Sequence, residues 1–179
     1  YYSLDDFPNA IKAYSKVVDG VGTPPEVKLD TRYTLAQLYA SEEDYPNAAV
    51  QLEAWLAEAT IVGADQRYFL AQIYYQLERK RDALNMVELA ISDVESRGIL
   101  PKERYWGLQR VLYYEKNDYP TVISILEKLV KHYPKWSYWK QLGGMYGERE
   151  REMDRLVTTE LVYLNCLLYT SDAADEVVS

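Results

Sequence analysis

Tyr33-Thr34-Leu35-Ala36-Gln37-Leu38-Tyr39 comes back thirty-five residues later as Tyr68-Phe69-Leu70-Ala71-Gln72-Ile73-Tyr74. A looser copy follows as Gly107-Leu108-Gln109-Arg110-Val111-Leu112-Tyr113, and another as Trp139-Lys140-Gln141-Leu142-Gly143-Gly144-Met145-Tyr146. Self-similarity at such a period points to stacked supersecondary units, each too small to bury its own apolar face.

A second signal alternates with the first. Asp6-Phe7-Pro8-Asn9-Ala10, Asp44-Tyr45-Pro46-Asn47-Ala48 and Asp118-Tyr119-Pro120-Thr121-Val122 share one pattern, and Arg81-Asp82-Ala83 fills the same slot without proline. An acid before a helix can accept from its free N–H groups, and proline is tolerated in the first turn. Downstream, Ala48, Leu52 and Trp55, then Ala83, Val87 and Ala90, then Val122, Leu126 and Leu129 recur at helical spacing. Pro134 closes the last of these helices. Each unit thus reads as two helices. Ala36, Ala71 and Gly143 on first helices, with Ala10, Ala48 and Ala83 on second helices, let paired backbones approach closely, while Tyr39, Tyr74, Tyr113 and Tyr146 fill the space between hairpins. The longest gap between those tyrosines coincides with the glycine and proline loop Glu95–Pro101, and a similar loop spans Gly20–Pro25.

Trp139–Tyr146 carries the W-x-x-L-G-x-x-Y signature of a first tetratricopeptide helix, and residues 1–165 resemble that superfamily throughout. The resemblance implies an all-α, right-handed superhelical solenoid of antiparallel helix hairpins. The expected units are a half repeat at 1–22 and hairpins at about 27–62, 64–97, 102–134 and 136–165. Arg155 stands where the last hairpin would carry a small residue.

Cys166-Leu167-Leu168-Tyr169-Thr170-Ser171-Asp172-Ala173-Ala174-Asp175-Glu176 resembles the translation of a sequencing adapter, so 166–179 is read as a non-native tail and set aside. The single cysteine lies in it and gives no guide to redox compartment. The chain opens Tyr1-Tyr2-Ser3 without an initiator Met, and is expected to be a piece of a longer protein.

Composition narrows the function. Apolar residues at 48% and charged residues at 27% describe a soluble globular chain, and no apolar run is long enough to span a membrane. A net charge of −8, with no basic face to offset it, argues against nucleic acid as partner. Catalytic constellations are nearly absent, and no cofactor or metal is expected. The lone histidine, His132, closes a helix where a basic group suits the negative end. Gly143–Gly147 belongs to a repeat helix and is no phosphate cradle, and no H-E-x-x-H occurs. The expected function is therefore a non-enzymatic protein-binding scaffold.

Its candidate ligand surface is the groove that first helices line in this family: Tyr33, Gln37, Tyr68, Gln72, Tyr75, Gln76 and Tyr114. Tyrosine offers contact area at low entropy cost, and glutamine can pair with an extended peptide backbone. The alternative is that these side chains pack on one another across adjacent hairpins. The carboxylate clamp of tetratricopeptide co-chaperones is not matched, because Tyr33 and Gln37, Tyr68 and Gln72, and Gly107 and Val111 occupy its Lys and Asn slots.

Leu70–Leu77, Leu112–Tyr119 and Leu126–Val130 followed by Tyr133-Pro134 also resemble the tetratricopeptide proteins associated with proteobacterial TonB–ExbB–ExbD systems. That narrower resemblance implies a periplasmic scaffold contacting TonB-system components. A cytoplasmic adaptor, or the regulatory array of a larger enzyme such as an envelope peptidase, are the alternatives.

Overall fold

A computed structural model describes residues 6–148 and 163. Among these residues there are eight helices and no strand: α1 (Phe7–Asp19), α2 (Pro25–Ser41), α3 (Tyr45–Glu58), α4 (Ala64–Gln76), α5 (Lys80–Ser96), α6 (Glu103–Glu115), α7 (Tyr119–His132) and α8 (Trp136–Glu148). The chain divides into two compact units, Tyr1–Pro101 and Lys102–Ser179. Apart from Tyr163, the expected second helix of the hairpin at 136–165, with Arg155 and the 166–179 tail, lies outside the described residues.

Within the first unit each helix packs on the next in sequence, α1 on α2, α2 on α3, α3 on α4 and α4 on α5. Small residues allow this. Ala36 and Ala48 are fully buried where α2 meets α3, as are Ala71 and Ala83 where α4 meets α5. Leu35, Leu52, Leu70, Ile73 and Val87 complete the core between them. Truncating one of these leucines to alanine costs about 2–5 kcal/mol. In the second unit α6 packs on α7 and α7 on α8, around Leu112, Leu126, Leu129 and Leu142.

The turn inside each hairpin is a double cap. Asp44 N–H donates to Tyr39 O at 2.8 Å, and Glu43 N–H donates to Ala40 O at 3.1 Å. The same pair recurs as Arg79 to Tyr74 (2.9 Å) with Glu78 to Tyr75 (3.1 Å), and as Asp118 to Tyr113 with Asn117 to Tyr114 (both 3.0 Å). This is the Schellman closure, in which one left-handed residue lets two amides reach back to orphan carbonyls. Glu43, Glu78 and Asn117 are those residues, with φ of 59°, 58° and 59°. At two of the three turns the next residue then starts the following helix: the carboxylates of Asp44 and Asp118 accept from Asn47 N–H and Thr121 N–H, both at 3.3 Å. Asp6 does the same for α1. Proline follows in the first turn of α1, α3 and α7.

Consecutive hairpins are joined by one repeated polar contact. Tyr74 on α4 donates its hydroxyl to Glu53 on α3 at 2.8 Å, and Tyr146 on α8 donates to Glu127 on α7. Both glutamates stand five residues after the small or β-branched residue that packs against the first helix, Ala48 and Val122. In the first unit Arg79 completes the contact. Its guanidinium lies 4.0 Å from the centre of the Tyr74 ring and donates to Glu53 and Asp82, each at 2.8 Å. Burial, then the Glu53 hydrogen bond, pushes the Tyr74 hydroxyl up to about 12.

Two outcomes follow from this geometry. A left-handed turn position penalises branching, so Glu43→Val should lower stability by about 1–2 kcal/mol, whereas Glu43→Gly should hold or raise it, read from urea midpoints. Tyr74→Phe should cost about 1–2 kcal/mol at neutral pH through the lost charge-assisted hydrogen bond. Because folding favours the protonated phenol, the Tyr74 contribution is whole below pH 10 and fades as pH rises through about 12. Urea unfolding of the parent chain at rising alkaline pH should therefore lose stability in that window, and Tyr74→Phe should lose less.

Candidate functional site

The first helices carry the candidate residues, and their periodicity divides them between interior and surface. On α2, the Tyr33 ring lies 5.1 Å from Trp55 of α3 and meets Phe69 of α4 edge-on at 6.2 Å. Burial, with Asp65 nearby, raises the pKa of its hydroxyl. Tyr68 on α4 is buried, with 9% of its surface exposed. Both rings therefore hold helices together. One turn further along, Gln37 and Gln72 are exposed at matching positions of α2 and α4, followed by half-buried Tyr75 and exposed Gln76. The Tyr/Gln ladder of the sequence is thus split by depth, with rings inward and amides outward.

In the second unit Tyr114 projects from α6, 52% exposed, with its ring 5.9 Å from Tyr119 in a T-shaped contact. It borders a cavity of about 280 Å³ between α6, α7 and α8. Tyr114 and Arg110 line it from α6, Gln141, Gly144 and Met145 from α8, and Val122 and Leu126 form the apolar wall on α7.

The cavity has a local cause. Counting back from the repeated tyrosines, Arg110 occupies the position of Ala36 and Ala71; counting forward, Val122 occupies that of Ala48 and Ala83. The alanine pairs draw α2 to α3 and α4 to α5. An arginine against a valine cannot, and α6 packs on α7 less closely than in either alanine-paired hairpin. Gly144 contributes as well, since a Cβ built there would meet no atom within 4 Å.

Arg110 is half-buried, and its Nε is buried with no hydrogen-bond partner. Desolvation lowers its pKa from the ordinary arginine value, partly countered by Tyr138. Neighbouring charges are engaged elsewhere. Lys135 holds Glu103 by contacts of 2.7 and 2.8 Å, and the Tyr138 hydroxyl donates to the same carboxylate at 2.5 Å. Those two partners keep Glu103 below the usual carboxylate range. Burial, then Glu103, pushes the Tyr138 hydroxyl up to about 12. His132 ends α7 with its ring 5.8 Å from buried Trp106, consistent with a packing position.

Sequence reasoning reached Tyr114 but passed over Arg110 and Gln141. The available signal was a charged residue at the position the repeat otherwise gives to alanine. Among the described residues no cluster of three or more His, Cys, Asp or Glu could hold a metal ion. No described helix is long and apolar enough to cross a membrane.

No protein-family model and no curated protein matches the sequence. Solved structures do match. MamA is 17% identical with a TM-score of 0.71, over 93% of this chain and 92% of that one. YrrB, described as a TPR protein with an unusual peptide-binding site, is 17% identical with a TM-score of 0.68, over 89% and 78%. The C-terminal part of a TPR repeat-containing protein from Cytophaga hutchinsonii is 16% identical with a TM-score of 0.66, over 87% of this chain and 58% of that one. At such identities the likeness speaks to architecture: the chain has the tetratricopeptide-type helix-hairpin fold.

Proposed function

We propose that this chain is a protein-interaction scaffold that binds a peptide segment of its partner on the surface of its first helices. The observation that carries this reading is where the accessible recognition groups lie. Gln37, Gln72 and Gln76 on α2 and α4, and Tyr114 beside the cavity on α6, are all exposed and all on first helices. First helices line the inner surface of a tetratricopeptide stack, and such extended surfaces are the binding faces of solenoids. Exposed amides can match the alternating donors and acceptors of an extended backbone, and an exposed phenol adds contact area at low entropy cost. The peptide-binding site described for YrrB, a structural neighbour, is in keeping with this use of the fold.

The finer reading, a periplasmic scaffold of TonB-system energy transduction, draws its support from the sequence resemblance of Leu70–Leu77, Leu112–Tyr119 and Leu126–Val130. Fractionation of the source cell tests it: recovery of the full-length product with the periplasmic contents would favour it, and recovery with the cytoplasm would remove it.

The binding surface is tested with peptides selected from a random library on the purified chain. Gln72→Ala should weaken peptides held by the first unit, and Tyr114→Ala those held by the second, each by roughly tenfold, about 1.4 kcal/mol, with the helical signal unchanged. Val50→Ala, at an exposed position on second helix α3, should leave affinity as it was. Tyr68→Ala is a poor probe, since emptying that buried site should cost about 3–5 kcal/mol of stability. Selected peptides that respond to Val50→Ala but to neither first-helix change would place binding elsewhere.

A further inference from the structure

The cavity on the second unit also specifies what kind of side chain it accepts. This step rests on the scaffold reading above and names the ligand chemistry of one part of that surface. We propose that the cavity around Arg110 takes an acidic side chain of a partner peptide, with a neighbouring aliphatic side chain against its apolar wall.

Three observations converge on an anion. Arg110 lines the cavity, and its buried Nε has no hydrogen-bond partner. A half-desolvated cation without a counter-charge is costly, and a carboxylate matched to the guanidinium fork relieves that cost by two parallel hydrogen bonds. Three described acids of the same unit are committed elsewhere: Glu103 to Lys135 and Tyr138, Asp118 to the start of α7, and Glu127 to Tyr146. Gln141 and Tyr114 line the same cavity, and an amide and a phenol can supply further donors.

The remaining lining identifies the companion. Val122, Leu126 and Met145 are buried apolar residues at the cavity wall, and Gly144 leaves room above them. A volume of about 280 Å³ holds more than one carboxylate group, so an adjacent aliphatic side chain fits beside it. A chain-terminal carboxylate fits less well. Such ends are captured by free backbone N–H groups arranged as a nest, and every residue lining this cavity lies within a helix whose amides are already bonded. The occupant is therefore an internal Glu or Asp beside an aliphatic residue.

The test uses the full chain and a matched array of short N-acetylated, C-amidated peptides carrying a Glu-Leu pair, each with a twin in which that Glu is Gln. The Glu peptides should bind roughly tenfold tighter than their twins, the scale of one charge-assisted contact. Arg110→Met should erase that ratio while leaving the Gln twins unchanged, and Arg110→Lys, which keeps charge but not the fork, should retain only part of it. Gly144→Leu, which fills open space on a helix and favours helix formation, should weaken the Glu peptides with no loss of melting temperature. Twins that bind equally, or a ratio that survives Arg110→Met, would overturn this inference while sparing the scaffold reading. A preference seen only with free C-terminal acids would overturn it in favour of terminal capture. An array in which no peptide binds at all would also overturn this inference, and a random library that likewise yields no binder would overturn the scaffold reading.

Discussion

The fold depends on one constraint: a two-helix unit cannot cover its own apolar face, so each must be sheltered by the next. In the first unit the constraint is met by fully buried alanines within hairpins and by large side chains such as Ile73 and Tyr74 at the following contacts. The tyrosine brings a hydroxyl into that apolar contact, and Glu53 on the preceding hairpin satisfies it. Leaving that group unpaired would cost more than the bond itself contributes, so the pairing fixes position as much as it adds stability. Its recurrence between Tyr146 and Glu127 shows that the device belongs to the repeat.

The same constraint explains where a binding feature can arise. A stack built only of alanine pairs would be tightly closed between helices. Substituting Arg110 and Val122 for that pair loosens the α6–α7 contact and leaves a charged group at the edge of the opening. The opening is a local departure from the repeat, tolerated because neighbouring contacts remain intact. Trp106 against His132 and Tyr133 closes one end of that hairpin, and the α8 contact through Glu103 steadies α6 beside the cavity.

Much of the architecture was legible in the sequence, because the decisive signals are local. The aspartate–proline starts, the helical spacing and the returning tyrosines each occupy a few consecutive residues, and the likeness to solved tetratricopeptide structures agrees with them. What the sequence hid was pairwise and distant. Nothing near Tyr74 announces that its partner is Glu53, and nothing at Glu43 or Glu78 marks a left-handed backbone, since glutamate has no preference for it. The candidate site was half legible. Repetition grouped Tyr33 with Gln37 and Tyr68 with Gln72, but only helix packing separates a ring turned inward from an amide turned outward. Arg110 was missed for the opposite reason, since attention to the repeat favours positions that match over the one that does not.

Native-state hydrogen exchange across α1 to α5 tests the nearest-neighbour account most directly. Amides of α1, whose main packing partner in its unit is α2, should open at the lowest free energy. Those of α3 and α4, flanked on both sides, should open at the highest. Equal protection through all five helices, exchanging together in one global step, would contradict it.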